Sequence, residues 1–380
     1  MKKIRTRFAT AAVAAAVSTV AITGAFALPA SATPIRRGVD HAVFVETNGV
    51  AGNKVVAYHR GDDGSLRPAG TYDTHGLGGS LAGAVVDRTA SQGALAYDEG
   101  HARLYAVNAG SNTISVFAVR GDQLTLIEVV RSGGDFPVSI AVHGDLVEVL
   151  NARDGGTVQG FRSFFGLLFP IGSNRALGLD PAATPEFTHT PGQVAFTPDG
   201  SKVLVTTKGN TSAVEAFRVG FGGRLSGSPV VTSFPGAVPF AIVFDRNAHA
   251  VISAAGTNAV ITAKVNRDGS LTAIESDATG QAATCWVVRV GDRFYASNAG
   301  SANVTGFQGS GSGHLTNLGQ TSTDAGTVDA AATPDGRFVY VQAGGAGKVD
   351  GFRVNADGSL TAVASVTVPG AIGAEGIVAA

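Results

Sequence analysis

The sequence has one cysteine, few charged side chains and no cluster of positive charge beyond its first residues. Cys285 stands alone, so an intramolecular disulfide bond and a cysteine-based metal cage are both excluded. Charged residues make up 15% of the chain and the net charge is −1. Because nucleic-acid binding needs clustered cations to neutralise phosphates, we expect no nucleic-acid partner. Gly, Ser, Thr and Asn must supply much of the surface polarity.

A long apolar run is also missing, except at the start of the chain. Four basic residues within the first seven are followed by an apolar stretch from Phe8 to about Leu28 and then by Ala30-Ser31-Ala32. This is the pattern of a secretory signal peptide, although a membrane anchor is the alternative for a stretch of this length. We therefore predict a signal peptide (1–32), a linker (33–40) and a folded region (41–380). The mature protein should be secreted and free of the membrane.

The folded region repeats a cassette of roughly constant length. Each copy has an alternating strand of the form x-V-x-x-F-x-V, and the position of its aromatic residue is occupied by Tyr58, Phe117, Phe161, Phe217, Ala263, Phe307 and Phe352. The spacings are 59, 44, 56, 46, 44 and 45 residues. Seven copies fill the region, and such a period indicates a repeat architecture.

Each copy predicts four short strands, which we call a to d. Asp-Gly turns such as Asp199-Gly200 and Asp357-Gly358 separate runs that alternate with period two, as in antiparallel hairpins. Four strands at this period are typical of a propeller blade. A β-sandwich would not repeat the cassette seven times, and the coils of a β-helix are shorter. The predicted fold is all-β, a seven-bladed β-propeller with four-stranded antiparallel blades.

The two ends of the folded region predict how the ring closes. The first copy begins at a b strand, His41–Thr47, and residues 375–380 read as a lone a strand. We expect the C-terminal strand to pair into the N-terminal blade, which ties down both ends of the ring.

Two copies carry long insertions, His75–Arg88 and Phe164–Thr190. The second, between strand c and the next strand a, begins with an apolar cluster at Phe164–Phe169. Such a loop is a lid, a partner-binding patch or simply packed on the scaffold.

The strand order places candidate site residues on one face. The a–b and c–d turns share a face, and the more irregular b–c and d–a loops surround the opposite mouth of the channel, where binding residues usually lie. On that face, Arg153, Glu186 and His189 are our candidate catalytic residues, because a guanidinium, a carboxylate and an imidazole can bind an organic acid or perform acid–base chemistry. The candidate ligand-binding residues are His75, Asp135, Lys208, Asn210, Gln281, Asp324 and Glu375.

Other chemistry has little support in the sequence. The eight histidines lack zinc-site spacing, the glycine-rich stretches lack a P-loop Lys-Ser/Thr, and there is no G-x-S-x-G elbow. Cys285 is expected to be a small buried residue rather than a nucleophile. We expect no metal and no cofactor, a small-molecule or protein ligand, and a monomer.

Three recurring motifs resemble the lactonase-type seven-bladed propellers, which include 6-phosphogluconolactonases and carboxymuconate-cyclising enzymes. The motifs are Thr-Pro-Asp-Gly-x-x-Val (Thr197–Val203, Thr333–Val339), Tyr-Ala-x-Asn-Ala-Gly-Ser (Tyr105–Ser111, Tyr295–Ser301) and Asn-x-Asp-Gly-Ser-Leu-Thr (Asn266–Thr272, Asn355–Thr361). The resemblance covers residues 41–380 and implies this fold. It also implies a lactone substrate, but the family's His-Pro-His element retains only its proline, at Pro137, Pro191 and Pro239.

Two functions follow as hypotheses. The first, which the missing histidines and the export signal favour, is an exported propeller that binds a ligand or partner without catalysis. The alternative is a lactonase-like enzyme that hydrolyses or cyclises a sugar or aromatic-acid lactone, with His189, Glu186 and Arg153 at the mouth. If those three side chains did not converge on one pocket, the second hypothesis would lose its residues.

Overall fold

Alternating apolar residues separated by tight turns form seven antiparallel sheets in the computed structural model, which describes residues 41–380. The predicted signal peptide (1–32) and linker (33–40) lie outside the described residues. Each sheet is one blade, with its strands in the order a-b-c-d. The a strands of successive blades contact one another around most of the ring, so they lie nearest its axis. The predicted seven-bladed propeller is confirmed.

The strands of each blade have these bounds, in the order a to d. Blade 1 comprises Ile377–Ala379, Ala42–Glu46, Lys54–Arg60 and Leu66–Asp73, and blade 2 comprises Leu95–Asp98, Arg103–Asn108, Thr113–Arg120 and Gln123–Arg131. Blade 3 comprises Pro137–His143, Leu146–Asn151, Thr157–Phe164 and Leu167–Pro170, with Arg175–Ala176 also paired to its c strand, and blade 4 comprises Val194–Phe196, Lys202–Thr206, Ala213–Arg218 and Val230–Ser233. Blade 5 comprises Pro239–Phe244, His249–Ala254, Ala259–Val265 and Leu271–Ala278. Blade 6 comprises Thr284–Val290, Arg293–Asn298, Asn303–Gly309 and Leu315–Ser322, and blade 7 comprises Thr327–Ala332, Phe338–Ala343, Lys348–Val354 and Leu360–Thr367.

Helical structure is scarce in the described residues. It consists of the single-turn α-helix α1, Glu186–His189, and two 3₁₀ turns, Ala109–Ser111 and Phe221–Gly223. Between residues 41 and 380 there is no helix with the length and apolarity needed to cross a bilayer.

The seven aligned repeat positions all lie on c strands and are all buried. In five blades the pairing of strands c and d shifts register just before this position, as at Ala57/Tyr58 and Gly306/Phe307. Such a β-bulge increases local twist, and it recurs where the repeat residue packs between blades. The repeat therefore encodes both the buried side chain and the bend of the blade.

The ring closes as predicted. Strand a of blade 1 comes from the C-terminus, with Val43 opposite Ala379, Phe44 opposite Val378 and Val45 opposite Ile377. Ile377 is only 3% exposed. The closing strand thus completes the blade and covers what would otherwise be an open sheet edge.

The apolar cluster of the second insertion is not part of the loop at the channel mouth. Phe164 ends strand c of blade 3 and Leu167 begins strand d, so the two phenylalanines Phe164 and Phe165 form the tip of a c–d hairpin. This tip lies on the face opposite the mouth. The sequence interpretation missed this strand because it lacks the Ser-Leu-Thr motif that begins the d strands at Ser270–Thr272 and Ser359–Thr361.

Glu148 places a carboxyl group in the apolar interior of blade 3. Its side chain is fully buried, both carboxylate oxygens lack a hydrogen-bond partner, and it lies opposite Gly160, where a Cβ atom would approach Oε1 to 2.9 Å. Burial raises the pKa of Glu148 to about 8, despite the opposing charge of Arg175. The folded protein therefore keeps this group protonated at neutral pH.

Glu148→Gln should stabilise the fold at alkaline pH. Because the folded pKa is raised, the unfolded chain loses this proton first, and the fold is penalised increasingly from about pH 4.5 to about pH 8. Removing the acid should raise the free energy of unfolding by roughly 5 kcal/mol above that range and by almost nothing below it. Urea unfolding at about pH 5 and about pH 9 measures the difference. The exposed Glu99→Gln is the matched control, and an equal effect of Glu148→Gln at both pH values would contradict the prediction.

Candidate functional site

The three candidate catalytic side chains converge on one pocket at the loop face. The pocket has a volume of about 160 Å³, and its lining comes from the b–c loop of blade 3 and from the segment that leads into blade 4. The lining residues are Ala152, Arg153, Asp154, Gly155, Leu179, Asp180, Pro181, Ala183, Glu186, His189 and Thr190. The three side chains therefore lie at one pocket, as the enzyme hypothesis requires.

Local sequence explains how the wall containing Glu186 and His189 forms. Pro185 is extended and precedes α1, while Thr190, with φ −88° and ψ 163°, ends it. A residue before proline is disfavoured in the helical region, so Pro191 limits α1 to a single turn. Asn210 holds this wall in place, because its Nδ2 group donates to the carbonyl oxygens of Asp180 and His189, each at 2.9 Å.

Arg153 and Glu186 form an ion pair that also holds a neighbouring segment. Arg153 Nε lies 2.7 Å from Glu186 Oε1, and its Nη2 donates to the carbonyl of Ser80 at 3.3 Å. Glu186 Oε2 accepts the amide of Ala82 at 2.6 Å. Burial acts to raise the pKa of Glu186, but the hydrogen bonds from Arg153 and Ala82 outweigh it and lower that pKa. Glu186 is therefore a fixed carboxylate that positions Arg153, rather than a proton donor.

His189 has one ring nitrogen fixed and one free. Its Nδ1 lies 2.9 Å from the carbonyl oxygen of Pro185 and 2.9 Å from Thr188 Oγ1. A carbonyl oxygen only accepts, so Nδ1 carries a proton, and in the neutral tautomer that this contact selects the lone pair is on Nε2. Within residues 41–380, neither His189 Nε2 nor Arg153 Nη1 has a hydrogen-bond partner. A base and a cationic donor are thus both available to a molecule in the pocket.

The mouth of the central channel is filled by the chain itself. Residues 80–93, which we call the crossing segment, connect blade 1 to blade 2 and reach blades on opposite sides of the ring. Within this segment, the carbonyl of Gln92 accepts from Ser139 Oγ at 2.7 Å, and that of Ser91 accepts from Trp286 Nε1 at 2.6 Å. Four of its residues between 87 and 91 are nearly fully buried: Asp87, Thr89, Ala90 and Ser91.

The crossing segment corrects two of the expected ligand contacts. Lys208 is 1% exposed, and its ammonium group donates to the carbonyls of Ala90 and Phe187 and to Thr190 Oγ1. Glu375 is fully buried and accepts the amide of Gly93 at 2.7 Å. Both side chains lie beneath the segment and use their polar atoms within the protein, so neither faces a ligand at the mouth.

A buried acid cluster under the segment was not predicted from the sequence. Glu375 is hydrogen-bonded to Asp329, and Asp87 lies close enough to raise the pKa of both. Burial, the largest cause, raises the pKa of Asp329 to about 7 and that of Glu375 well above its usual value. Burial also lowers the pKa of Lys208 to about 7. Across residues 41–380, no three His, Cys, Asp or Glu side chains are grouped so that they could hold a metal ion.

The remaining candidate ligand contacts do not meet at the pocket. Asn210 supports its wall from behind, and four others lie on separate d–a connections: His75, Asp135, Gln281 and Asp324. Asp324 is paired with Lys348 at 2.9 Å, and Gln281 accepts from Asn303 Nδ2 at 2.7 Å. The pocket instead contains Asp154 and Asp180, which sequence reasoning missed because each occurs in an ordinary turn motif. Their only sequence signal was proximity to Arg153 and to the insertion.

Comparison with known proteins identifies the fold and one family. The family model described as lactonase, 7-bladed beta-propeller, matches residues 49–163 and 249–375. Arg153 lies inside the matched regions, whereas Glu186 and His189 lie between them. No curated protein matches the chain.

Solved structures share this architecture at low sequence identity. A Bacteroides fragilis protein described as a 6-phosphogluconolactonase is 19% identical, with a TM-score of 0.71 over 89% of this chain and 98% of that one. The periplasmic gluconolactonase of Pseudomonas aeruginosa is also 19% identical, with a TM-score of 0.68 over 86% and 96%. At this identity the likeness concerns the fold alone.

Proposed function

Because the chain belongs to the lactonase family of seven-bladed β-propellers, we propose that it opens a lactone ring by hydrolysis in the pocket lined by Arg153, Glu186 and His189. The observation that carries the proposal is the convergence of these three side chains on one open pocket. Family membership favours this enzyme over the non-catalytic ligand binder that the sequence alone favoured.

The chemistry assigns one role to each side chain. His189 Nε2 takes a proton from water as the oxygen attacks the lactone carbonyl carbon. Arg153 Nη1 donates to the carbonyl oxygen as negative charge develops there. The tetrahedral intermediate then collapses, the ring C–O bond breaks, and the departing alkoxide takes the proton from the His189 imidazolium. Glu186 holds Arg153 in position, and the product is an open-chain hydroxy acid.

The site of action follows from the N-terminal pattern. Residues 1–32 combine a basic start, an apolar stretch and a small-residue end, which supports export of the mature protein. We propose that hydrolysis takes place outside the cytoplasm.

Filling the pocket should strongly reduce turnover without unfolding the protein. Ala183 lines the pocket, so Ala183→Phe should lower kcat/KM for lactones tenfold or more by steric exclusion. Ala182→Phe is the matched control, because Ala182 is exposed, lies in the same turn and is not part of the lining. Initial rates on a panel of sugar and aromatic-acid lactones, measured above the buffer rate, provide the test. The proposal fails if the wild type turns over none of the panel, or if both variants behave alike.

A further inference from the structure

We propose that the pocket selects uncharged lactones and rejects lactones that carry a phosphate group, with Asp154 and Asp180 as the residues that set this preference. This inference rests on the proposed hydrolysis at the same pocket, and it specifies the substrate class.

The charges of the lining are predominantly negative. They comprise one guanidinium, from Arg153, and three carboxylates, from Asp154, Asp180 and Glu186. Without counting His189, the sum of these side chains is one positive minus three negative charges, or −2. A phosphorylated lactone would bring nearly two further negative charges to this pocket.

The one cation of the lining is already compensated. The guanidinium of Arg153 pairs with Glu186 at 2.7 Å and lies 4.2 Å from the ring centroid of Phe136. Its free Nη1 group can polarise a neutral carbonyl, but the charge is shared with a carboxylate. Phosphate sites usually rely on arginine forks or lysines that have no such partner.

The nearest lysine cannot supply the missing charge. Lys208 donates to three oxygens at 2.7, 2.6 and 3.0 Å and is buried beneath the crossing segment. An ammonium group has three protons, so all of its donors are used. Burial also lowers its pKa to about 7, which reduces its charge near neutrality.

The two aspartates suit a polyhydroxylated substrate. Asp154 and Asp180 are exposed at the rim of the pocket, and the Oδ1 atom of Asp180 accepts the amide of Ala182 at 2.9 Å. Ionised carboxylates only accept hydrogen bonds, and sugar hydroxyls donate them readily. The same oxygens repel a phosphate, so one feature both attracts hydroxyl groups and excludes anions.

The test compares gluconolactone with 6-phosphogluconolactone on the full chain. We expect kcat/KM to be at least tenfold higher for the uncharged substrate at low ionic strength. The double variant Asp154→Asn and Asp180→Asn should reduce this ratio by about tenfold, because two partly screened charges are removed while the amide oxygens remain. Added salt should reduce the wild-type ratio in the same direction. The control is Asp62→Asn. Asp62 is exposed in a c–d turn on the opposite face, so removing its charge should leave the ratio unchanged.

Binding of glucose and glucose 6-phosphate separates this inference from the hydrolysis itself. If neither lactone is turned over but glucose binds more tightly than its phosphate, hydrolysis fails and the charge selection stands. The selection is overturned if the phosphorylated compound is preferred or equal in either assay, if the double variant leaves the ratio unchanged, or if no compound binds or reacts.

Discussion

Replacing His189 with alanine should lower kcat/KM for lactone opening by about 10²–10⁴-fold, the range expected when a general base is lost. Nδ1 of this residue is engaged by the Pro185 carbonyl, which leaves Nε2 as the atom that can take a proton from water. The substitution leaves Arg153 and Glu186 paired, and it should leave the fold intact because His189 is partly exposed at the pocket.

Two further measurements separate a catalytic role of His189 from a structural one. Added imidazole should restore part of the activity of His189→Ala, since a small base can occupy the vacated space. His101→Ala is the matched control, because His101 is exposed and pairs with Asp98 at the a–b turn of blade 2, on the opposite face. Activity of His189→Ala within threefold of wild type would remove this residue from the mechanism.

The repeat could be predicted from sequence because its information is local. Each Asp-Gly turn fixes its own hairpin, and each c-strand aromatic packs against an adjacent blade. The same hydrogen bond recurs in separate copies: the side chain of Asp357 accepts the amide of Ser359 at 3.0 Å, and that of Asp268 accepts the amide of Ser270 at 3.0 Å. The seven c-strand repeat positions, six aromatic and one occupied by Ala263, determine the number of blades, and the unpaired strands at the two ends determine how the ring closes.

The crossing segment could not be predicted, because its contacts lie far apart in sequence. The sequence marked its first part only as a long insertion, His75–Arg88, yet Gln92 bonds to Val287 through both its amide nitrogen and its amide oxygen, 195 residues away. No local periodicity encodes such a pairing. The same long-range contacts bury Lys208 and Glu375, two residues that seemed to be ligand contacts from their positions on loops. Sequence reasoning placed the b–c and d–a loops on the correct face but could not show which of them were covered.

The catalytic candidates are an intermediate case. Glu186 and His189 are three residues apart, so their closeness follows from the sequence. Arg153 joins them because the b–c loop of blade 3 and the segment entering blade 4 open on the same face, which the strand order predicted. The sequence could not show that Glu186 is a fixed carboxylate and His189 the base. That distinction depends on the hydrogen bond from the amide of Ala82 to Glu186, a contact that only the structure reveals.

Ile377→Ser should destabilise the whole ring, by about 3 kcal/mol in the free energy of unfolding. Ile377 is 3% exposed and pairs with Val45, and its amide donates to Asp329 Oδ2 at 3.4 Å. The substitution leaves a cavity and buries a hydroxyl group at the strand that closes the propeller. Ile372→Ser makes the same chemical change at a side chain that is 64% exposed, so it should alter stability by less than about 0.5 kcal/mol.

Deleting residues 377–380 should have a larger effect than the point substitution, because it removes the entire a strand of blade 1. Ala42 and Ala380 exchange backbone hydrogen bonds at 3.3 and 2.8 Å, and these would be lost with the rest of the strand pairing. Strand b of blade 1, Ala42–Glu46, would become an open edge facing the channel, next to the buried acids Asp329 and Glu375. We therefore expect a cooperative loss of stability of all seven blades, measured as a fall in Tm of roughly ten degrees or more. An unchanged Tm would mean that the blades hold together without this strand, and closure by the C-terminus would then contribute nothing to the stability of the ring.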